Sequence, residues 1–196
     1  MAVFILAEVN MRSLKIISAL GFFAVLGAAS TLYGKAADSD SAYMTAALSA
    51  APPAVASGAA VIRMEKDGSM TTLRPGTNGF SCFLMGPLKG SPSACLDANS
   101  MEFIGAWMKH APPPNKLGVG YMLMGDAPGT SNTDPYATEK TADNHWVTTG
   151  PHIMIFGPSA KLMGLPTAKD PDPTKPYMMW AGTPYEHAMI PVGSSK

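Results

Sequence analysis

The stretch CLDANSMEFIGAWMKHAPPP (residues 95–114) carries the clearest secondary-structure pattern of the chain. Four apolar residues in it follow the three-and-four spacing of one helix face: Met101, Ile104, Trp107 and Met108. Asp97 or Asn99 is suited to cap the start, and Pro112 begins a proline run that cannot continue a helix. We therefore predict one principal helix whose apolar face packs on the core.

Short strands are predicted on both sides of this helix. Val61–Met64 and Ser69–Leu73 flank Asp67-Gly68, a pair suited to a tight turn, and so predict a β-hairpin. Further strands are predicted at Phe80–Met85, Gly120–Met124, His152–Phe156, Tyr177–Trp180 and Glu186–Pro191. With 19 Gly and 18 Pro, the expected fold is α+β and loop-rich, with a small, mainly antiparallel sheet.

The amino-terminal part of the chain predicts a signal peptide, residues 1–37. Arg12 and Lys15 precede the apolar run Ile16–Leu26, and small residues follow it, which is the order of a secretory signal. Met11 is the expected true start, because the residues before it fit poorly into a signal. The run is shorter than the roughly 20 residues of a spanning helix, so we expect no stable membrane anchor after cleavage. The mature protein is expected in the periplasm or outside the cell.

The rest of the chain divides by composition. Residues 38–58 are rich in Ala, Ser and Pro and are predicted to form a linker or a loosely docked arm, with a short helical stretch over residues 43–50. Residues 59–196 are predicted to form a single globular domain.

Charge excludes two classes of partner. The chain has 14 basic and 14 acidic residues, and loss of Arg12, Lys15, Lys35 and Glu8 with the signal leaves a net charge of about −2. The remaining Lys and Arg are scattered singly, whereas binding to phosphates needs a basic patch. Nucleic acid and anionic membrane surfaces are therefore not expected as partners.

Cys82 and Cys95 are the only cysteines. An oxidising compartment favours their pairing, and the short loop closed in this way would stabilise the fold by about 3 kcal/mol in the chain-entropy model. The alternative is a two-cysteine metal site that takes its other ligands from elsewhere in the chain.

The pattern His-x-Met occurs in two predicted strands, as His152-x-Met154 and His187-x-Met189. Because alternate side chains share one face of a strand, each segment places an imidazole and a thioether on the same side. Two such strands lying adjacent would gather two nitrogens and two sulfurs. This ligand set suits copper, particularly Cu(I).

A plainer interpretation of the same residues stays open. Met154 and Met189 fill gaps in the core, since methionine is an adaptable packing residue, and each histidine bonds to the backbone, to Asp143 or to Glu186.

A secreted hydrolase-type enzyme that uses the 126–152 region is the alternative function. The sequence has no G-x-S-x-G, H-E-x-x-H or C-x-x-C motif and no phosphate-binding loop. The catalytic candidates are His145, His152 and Asp143, because histidine near a carboxylate acts as a general base. The wider acid-base and hydroxyl set is His187, Asp126, Asp134, Glu186, Ser131, Thr133 and Tyr185.

A binding protein without catalysis is the preferred hypothesis, with a small molecule, a metal or a cell-envelope component as its ligand. The polar connection Gly125–Asn144 is a candidate functional surface, although its polar side chains also suit local turns. The ligand-binding candidates are Asn132, Asp134, Tyr136, Trp146 and Tyr185, with further aromatic faces at Tyr177 and Trp180. We expect the imidazoles of His145, His152 and His187 to meet beside this loop.

Several short motifs carry a resemblance: GTNG (76–79) before Cys82, CLD (95–97), SNTDPY (131–136), TGPHIM (149–154) and GTPYEH (182–187). Over about residues 60–192 the chain resembles an uncharacterised family of bacterial exported proteins. The resemblance implies a bacterial periplasmic setting and transfers no activity, cofactor or site residue.

Overall fold

The computed structural model describes residues 39–65, 67, 69–86 and 91–193. The predicted signal peptide and the predicted start at Met11 lie outside these residues. Contacts divide the chain into residues 1–40, of which only two are described, and the compact unit Ser41–Lys196, which the following sections concern. Among the described helices, none is long and apolar enough to cross a bilayer.

Eight strands form the main sheet, in the order β2-β1-β3-β4-β5-β8-β10-β9. They are β1 (Ala60–Met64), β2 (Met70–Arg74), β3 (Phe80–Leu84), β4 (Ser93–Asp97), β5 (Gly118–Met122), β8 (His152–Phe156), β9 (Tyr177–Met179) and β10 (His187–Pro191). Every neighbouring pair is antiparallel except β1 and β3. The prediction of a mainly antiparallel sheet is confirmed, and the sheet is larger than predicted.

Two parts of the sheet structure were not predicted. Strand β4 is buried at four of its five positions and so shows no alternation of apolar and polar residues. The polar connection contains β6 (Thr130–Ser131), which pairs with β7 (Trp146–Val147) in a second sheet. Strands this short leave no periodic pattern in a sequence.

The principal helix is confirmed as α3 (Ala98–Met108), whose start is capped by the Asp97 carboxylate accepting a hydrogen bond from the Ser100 N–H at 2.8 Å. Its fully buried residues are Ser100 and Phe103. The predicted core-facing stripe is only half-buried, and Met108 is 41% exposed. Met101, Ile104 and Trp107 pack against the core cluster, whereas Met108 extends beyond it.

The remaining helices are α1 (residues 39–48), α2 (Pro53–Ala56) and a 3-10 helix, Pro158–Met163. Ala47 and Ala50 are completely buried against a cluster that contains Cys82 and Cys95. The Tyr43 hydroxyl donates to the Ile62 carbonyl at 3.0 Å. The segment predicted as a linker is therefore part of the fold, because its small alanines allow close approach to the sheet.

Different helices pack on the two faces of the sheet. Helix α3 packs on one face, where Phe103 contacts Phe156 with ring centroids 4.9 Å apart. Helix α1 and the 3-10 helix lie against residues of the opposite face. The predicted disulfide is confirmed: Cys82 and Cys95 lie directly opposite each other on β3 and β4 and are fully buried.

Candidate functional site

Three neighbouring strands carry histidine and methionine on the face that α3 covers. In β8 the alternate residues His152, Met154 and Phe156 are buried. Met122 of β5 lies directly opposite His152, and Met189 of β10 lies directly opposite Met154. Side chains directly opposite each other have Cβ atoms about 4.5–5.5 Å apart, so these residues form one continuous patch.

This patch is the floor of a cavity of about 270 Å³, which we call the His152 cavity. Five methionines line it: Met85, Met122, Met154, Met179 and Met189. Its polar side chains include Asp126, His152 and His187, and Trp107 and Trp180 form part of the wall. The predicted functional surface, Gly125–Asn144, contributes six lining residues: Asp126, Pro128, Gly129, Thr130, Pro135 and Ala137. The cavity thus combines imidazole, carboxylate and thioether groups in an otherwise apolar enclosure.

His152 has no solvent exposure. Its Nδ1 lies 2.7 Å from the Gly150 carbonyl oxygen, and because a carbonyl only accepts, Nδ1 carries the proton. Its Nε2 is buried and has no hydrogen-bond partner among the described residues. Burial lowers the pKa of His152, against the effect of the Gly150 bond. The ring is therefore neutral at pH 7 and presents a lone pair at Nε2.

His187 is oriented in the same way. Its Nδ1 lies 3.0 Å from the Tyr185 carbonyl oxygen, and burial lowers its pKa to about 4. Its ring lies among three aromatic rings, with centroids at 4.9 Å (Trp180), 5.0 Å (Phe156) and 6.3 Å (Phe103). This imidazole is also neutral at pH 7, and its surroundings are aromatic.

The strand register separates the backbone positions of the two histidines. Pro191 pairs with His152, so His187 lies four positions away along β10, which is about 13 Å at roughly 3.3 Å per residue. Met154 and Met189 lie between the two rings. His152, Met154, His187 and Met189, the four residues of the predicted copper set, all line the His152 cavity. His152 has three methionine neighbours in the sheet: Met122 opposite, Met154 along the strand and Met189 diagonally across.

No family model, curated protein or solved structure matches this chain.

Within the part of the chain that the structure describes, no group of three or more His, Cys, Asp or Glu side chains is placed to hold a metal ion. A metal in the His152 cavity would therefore depend on methionine sulfur. Sulfur of this kind excludes hard cations such as Ca²⁺ and Mg²⁺, which take oxygen ligands, and favours soft ions.

His145 lies apart from the cavity. Its Nδ1 is 2.9 Å from an Asp170 carboxylate oxygen near the surface, and it is not part of the cavity lining. Asp143 is exposed and also lies outside the lining. The expected meeting of three imidazoles is thus wrong for His145, because its loop turns towards Asp170 instead of the sheet.

The predicted ligand-binding residues use their polar groups to hold loops together. The Asn132 amide donates to the Ala168 and Lys169 carbonyls, and the Asp134 carboxylate accepts from the Tyr136 N–H. Three aromatic side chains donate to main-chain carbonyls: Tyr136 to Trp107, Trp146 to Pro128 and Tyr185 to Ala111. These residues support the cavity wall and do not line the cavity themselves.

Several residues of the cavity lining were missed as site candidates, among them Met122, Trp107 and Met179. Met122 lies in a predicted strand, but nothing local shows that it faces His152.

Trp180 was predicted inside a strand, whereas its φ of 56° ends β9 at Met179. That left-handed conformation is rare for a bulky residue, and two hydrogen bonds hold it, one to Ser131 and one to Asn132.

Proposed function

We propose that this chain is an exported binding protein that holds Cu(I) in the His152 cavity. The proposed ligands are the His152 Nε2 atom and the sulfurs of Met122, Met154 and Met189. The confirmed disulfide supports the proposed location, since such bonds persist in the periplasm and outside the cell.

The observation that carries this proposal is the buried Nε2 atom of His152, for which the described part of the chain provides no hydrogen-bond partner. An unpaired buried acceptor costs about 1–3 kcal/mol, so a protein retains one where a ligand satisfies it. The other nitrogen donates to a main-chain carbonyl, which is the arrangement that orients histidine ligands of metals. The neighbouring side chains are thioethers, which are soft ligands that select Cu(I).

The test is an anaerobic titration of the purified protein with Cu(I) against a competing chromogenic chelator. We expect His152→Ala to weaken the tightest site at least tenfold, because loss of even an indirect contact to a bound metal typically costs 10–100-fold in affinity. His145→Ala is the matched control, because this imidazole pairs with Asp170 away from the cavity, and its affinity should equal that of the wild type.

A second variant distinguishes the loss of a copper ligand from misfolding. The pair Met154→Leu and Met189→Leu conserves volume, and such swaps usually cost less than about 1.5 kcal/mol each. It should fold and still bind Cu(I) at least tenfold more weakly. Wild-type affinity in both the histidine and the methionine variants would overturn the proposal.

The size of the cavity supports a second candidate function, the binding of a small organic molecule. A cavity of about 10–15 Å³ holds one water molecule, whereas the His152 cavity has a volume of about 270 Å³. Its Trp107 and Trp180 walls suit an aromatic ring, and Asp126 suits an amine. Benzylamine at millimolar concentration should raise the melting temperature of the wild type, and Asp126→Asn should remove the effect. A melting temperature unchanged by benzylamine would reject this candidate.

The hydrolase alternative receives less support from the same geometry. Within the described residues, neither His152 nor His187 bonds to a hydroxyl or to a carboxylate, since each Nδ1 donates to a main-chain carbonyl. A general base that activates a nucleophile is normally oriented by both kinds of partner.

A further inference from the structure

Four other methionines lie where helix α3 meets the β1–β2 end of the sheet. Met64 and Met70 lie directly opposite each other on β1 and β2. Met101 and Met108 are seven residues apart on α3 and so lie on the same helix face. All four line one groove, with a volume of about 20 Å³, which we call the methionine groove.

The methionine groove offers one kind of ligand atom. Its other lining residues are Ile62, Phe83, Ile104 and Gly105, so among the described residues only four thioether sulfurs are side-chain electron-pair donors in the groove. A space of about 10–15 Å³ holds one water, which makes the groove the size of a single ion. Hard cations need oxygen ligands that these side chains lack, whereas thioether suits a soft ion.

The groove is open to solvent on one side. Met70 is 51% exposed and Met108 is 41% exposed, so these two residues are accessible from outside. A core-packing role accounts poorly for methionines with this exposure, since the burial that would stabilise the fold is incomplete. At Gly105 a Cβ atom would meet nothing within 4 Å, so the helix leaves space above the groove.

One residue is shared by the linings of the methionine groove and the His152 cavity. Ile104 lines both the methionine groove and the His152 cavity. A ligand in the groove is therefore separated from the cavity by the thickness of this residue. The two sites also differ in ligand type, since the cavity adds an imidazole nitrogen to the sulfurs.

We propose that the methionine groove is a second, weaker Cu(I) site, which receives the ion at the surface and passes it to the His152 cavity. This inference rests on the proposed function. The transfer is a ligand exchange: sulfur–copper bonds in the groove break while bonds to Nε2 and to the cavity sulfurs form. No electron moves, and no proton leaves His152, because its proton is on Nδ1.

The first test uses the His152→Ala protein labelled with ¹³C in the methionine methyl groups, so that the groove is observed while the tight site is weakened. On anaerobic addition of Cu(I), the methyl signals of Met64, Met70, Met101 and Met108 should shift together. Met124 and Met163 are the controls, being exposed at 65% and 47% outside both sites. Groove signals that shift no more than these controls would overturn the inference.

A variant that fills the groove without changing the fold tests whether the ion binds there. Gly105→Leu places a side chain in the open space above the groove, and leucine favours a helix interior more than glycine does. It should abolish the groove shifts while far-ultraviolet circular dichroism stays unchanged. Shifts that persist in this variant would place the ion elsewhere and contradict the inference.

The second test is kinetic. The pair Met70→Leu and Met108→Leu should slow Cu(I) loading of the tight site at least threefold and leave its equilibrium affinity unchanged. An unchanged loading rate would overturn the transfer role. Failure of the proposed function has a separate signature, namely wild-type Cu(I) affinity in both His152→Ala and the Met154→Leu/Met189→Leu pair, and so the two outcomes are distinguishable.

Discussion

Asp126 lines the same cavity as His152. Burial raises the pKa of this carboxyl, whereas it lowers the pKa of the imidazole. Its side chain is 8% exposed and accepts a hydrogen bond from the Thr149 N–H at 2.6 Å. Burial raises the pKa of Asp126 to about 6, against the effect of that bond. At pH 7 the folded protein therefore holds a carboxylate that burial makes costly, in the wall of an apolar cavity.

This cost predicts a pH-dependent effect of Asp126→Asn. The folded-state pKa lies above the unfolded value, so the folded state binds more protons between about pH 4 and 6, and the stability from this group falls as pH rises through that range. Asparagine keeps an acceptor for Thr149 without the charge. The variant should be more stable than the wild type by about 1–3 kcal/mol at pH 8, and equal to it near pH 4.

Urea unfolding at the two pH values measures this difference. Asp143→Asn is the control, since this carboxylate is exposed and its removal should change stability by less than about 0.5 kcal/mol. A gain for Asp126→Asn that is the same at both pH values would contradict the assigned cause.

At the scale of elements, glycines mark where strands and helices meet. Gly157 joins β8 to the 3-10 helix with φ of 96° and ψ of 169°, a conformation essentially restricted to glycine. A Cβ atom at this position would also overlap the Lys116 carbonyl oxygen. The end of β8, and with it the position of Phe156 beside His187, depends on this residue.

We therefore predict that Gly157→Ala lowers the free energy of unfolding by about 3 kcal/mol or more, from strain and overlap together. Gly105→Ala is the matched comparison, since a Cβ there meets nothing within 4 Å and α3 gains up to about 1 kcal/mol of helix propensity. Chemical denaturation of both variants checks the prediction, which fails if the two changes have the same sign.

At the scale of the whole molecule, α1 completes the face of the sheet opposite the cavity. Tyr43 donates to the Ile62 carbonyl, and its hydroxyl also accepts from the Leu84 N–H at 3.2 Å. Ala47 and Ala50 are packed against the disulfide region. The fold therefore begins well before residue 59, where composition placed its start.

This packing predicts that a chain beginning at Ala59 is less stable than one beginning at Ser39. The shorter chain exposes Val61 and the apolar surroundings of the disulfide, and burial of a single large side chain contributes about 1.5–3 kcal/mol. We expect a loss of at least about 3 kcal/mol, measured by thermal unfolding of the two chains. Equal melting temperatures would show that α1 adds nothing to the domain.

The strongest predictions from sequence were those that depend on local patterns. The spacing of Met101, Ile104 and Trp107 identified α3, and Asp67-Gly68 identified the β1–β2 hairpin, whose turn is only partly within the described residues. The alternation in His152–Phe156 gave both the strand and the shared face of His152 and Met154. A period of two or of 3.6 residues depends on backbone geometry alone, so neighbours in sequence suffice to reveal it.

Which residues make up the candidate site could be decided only from the tertiary structure. Alternation shows which side chains share a face, but not which strand lies beside it or in which register. Pairing of β8 with β5 brought Met122 opposite His152, and pairing with β10 placed His187 four positions away. The unpartnered Nε2 atom and the cavity above it result from contacts between residues distant in the chain. Such contacts depend on packing across the whole molecule, which leaves no periodic trace in the amino-acid order.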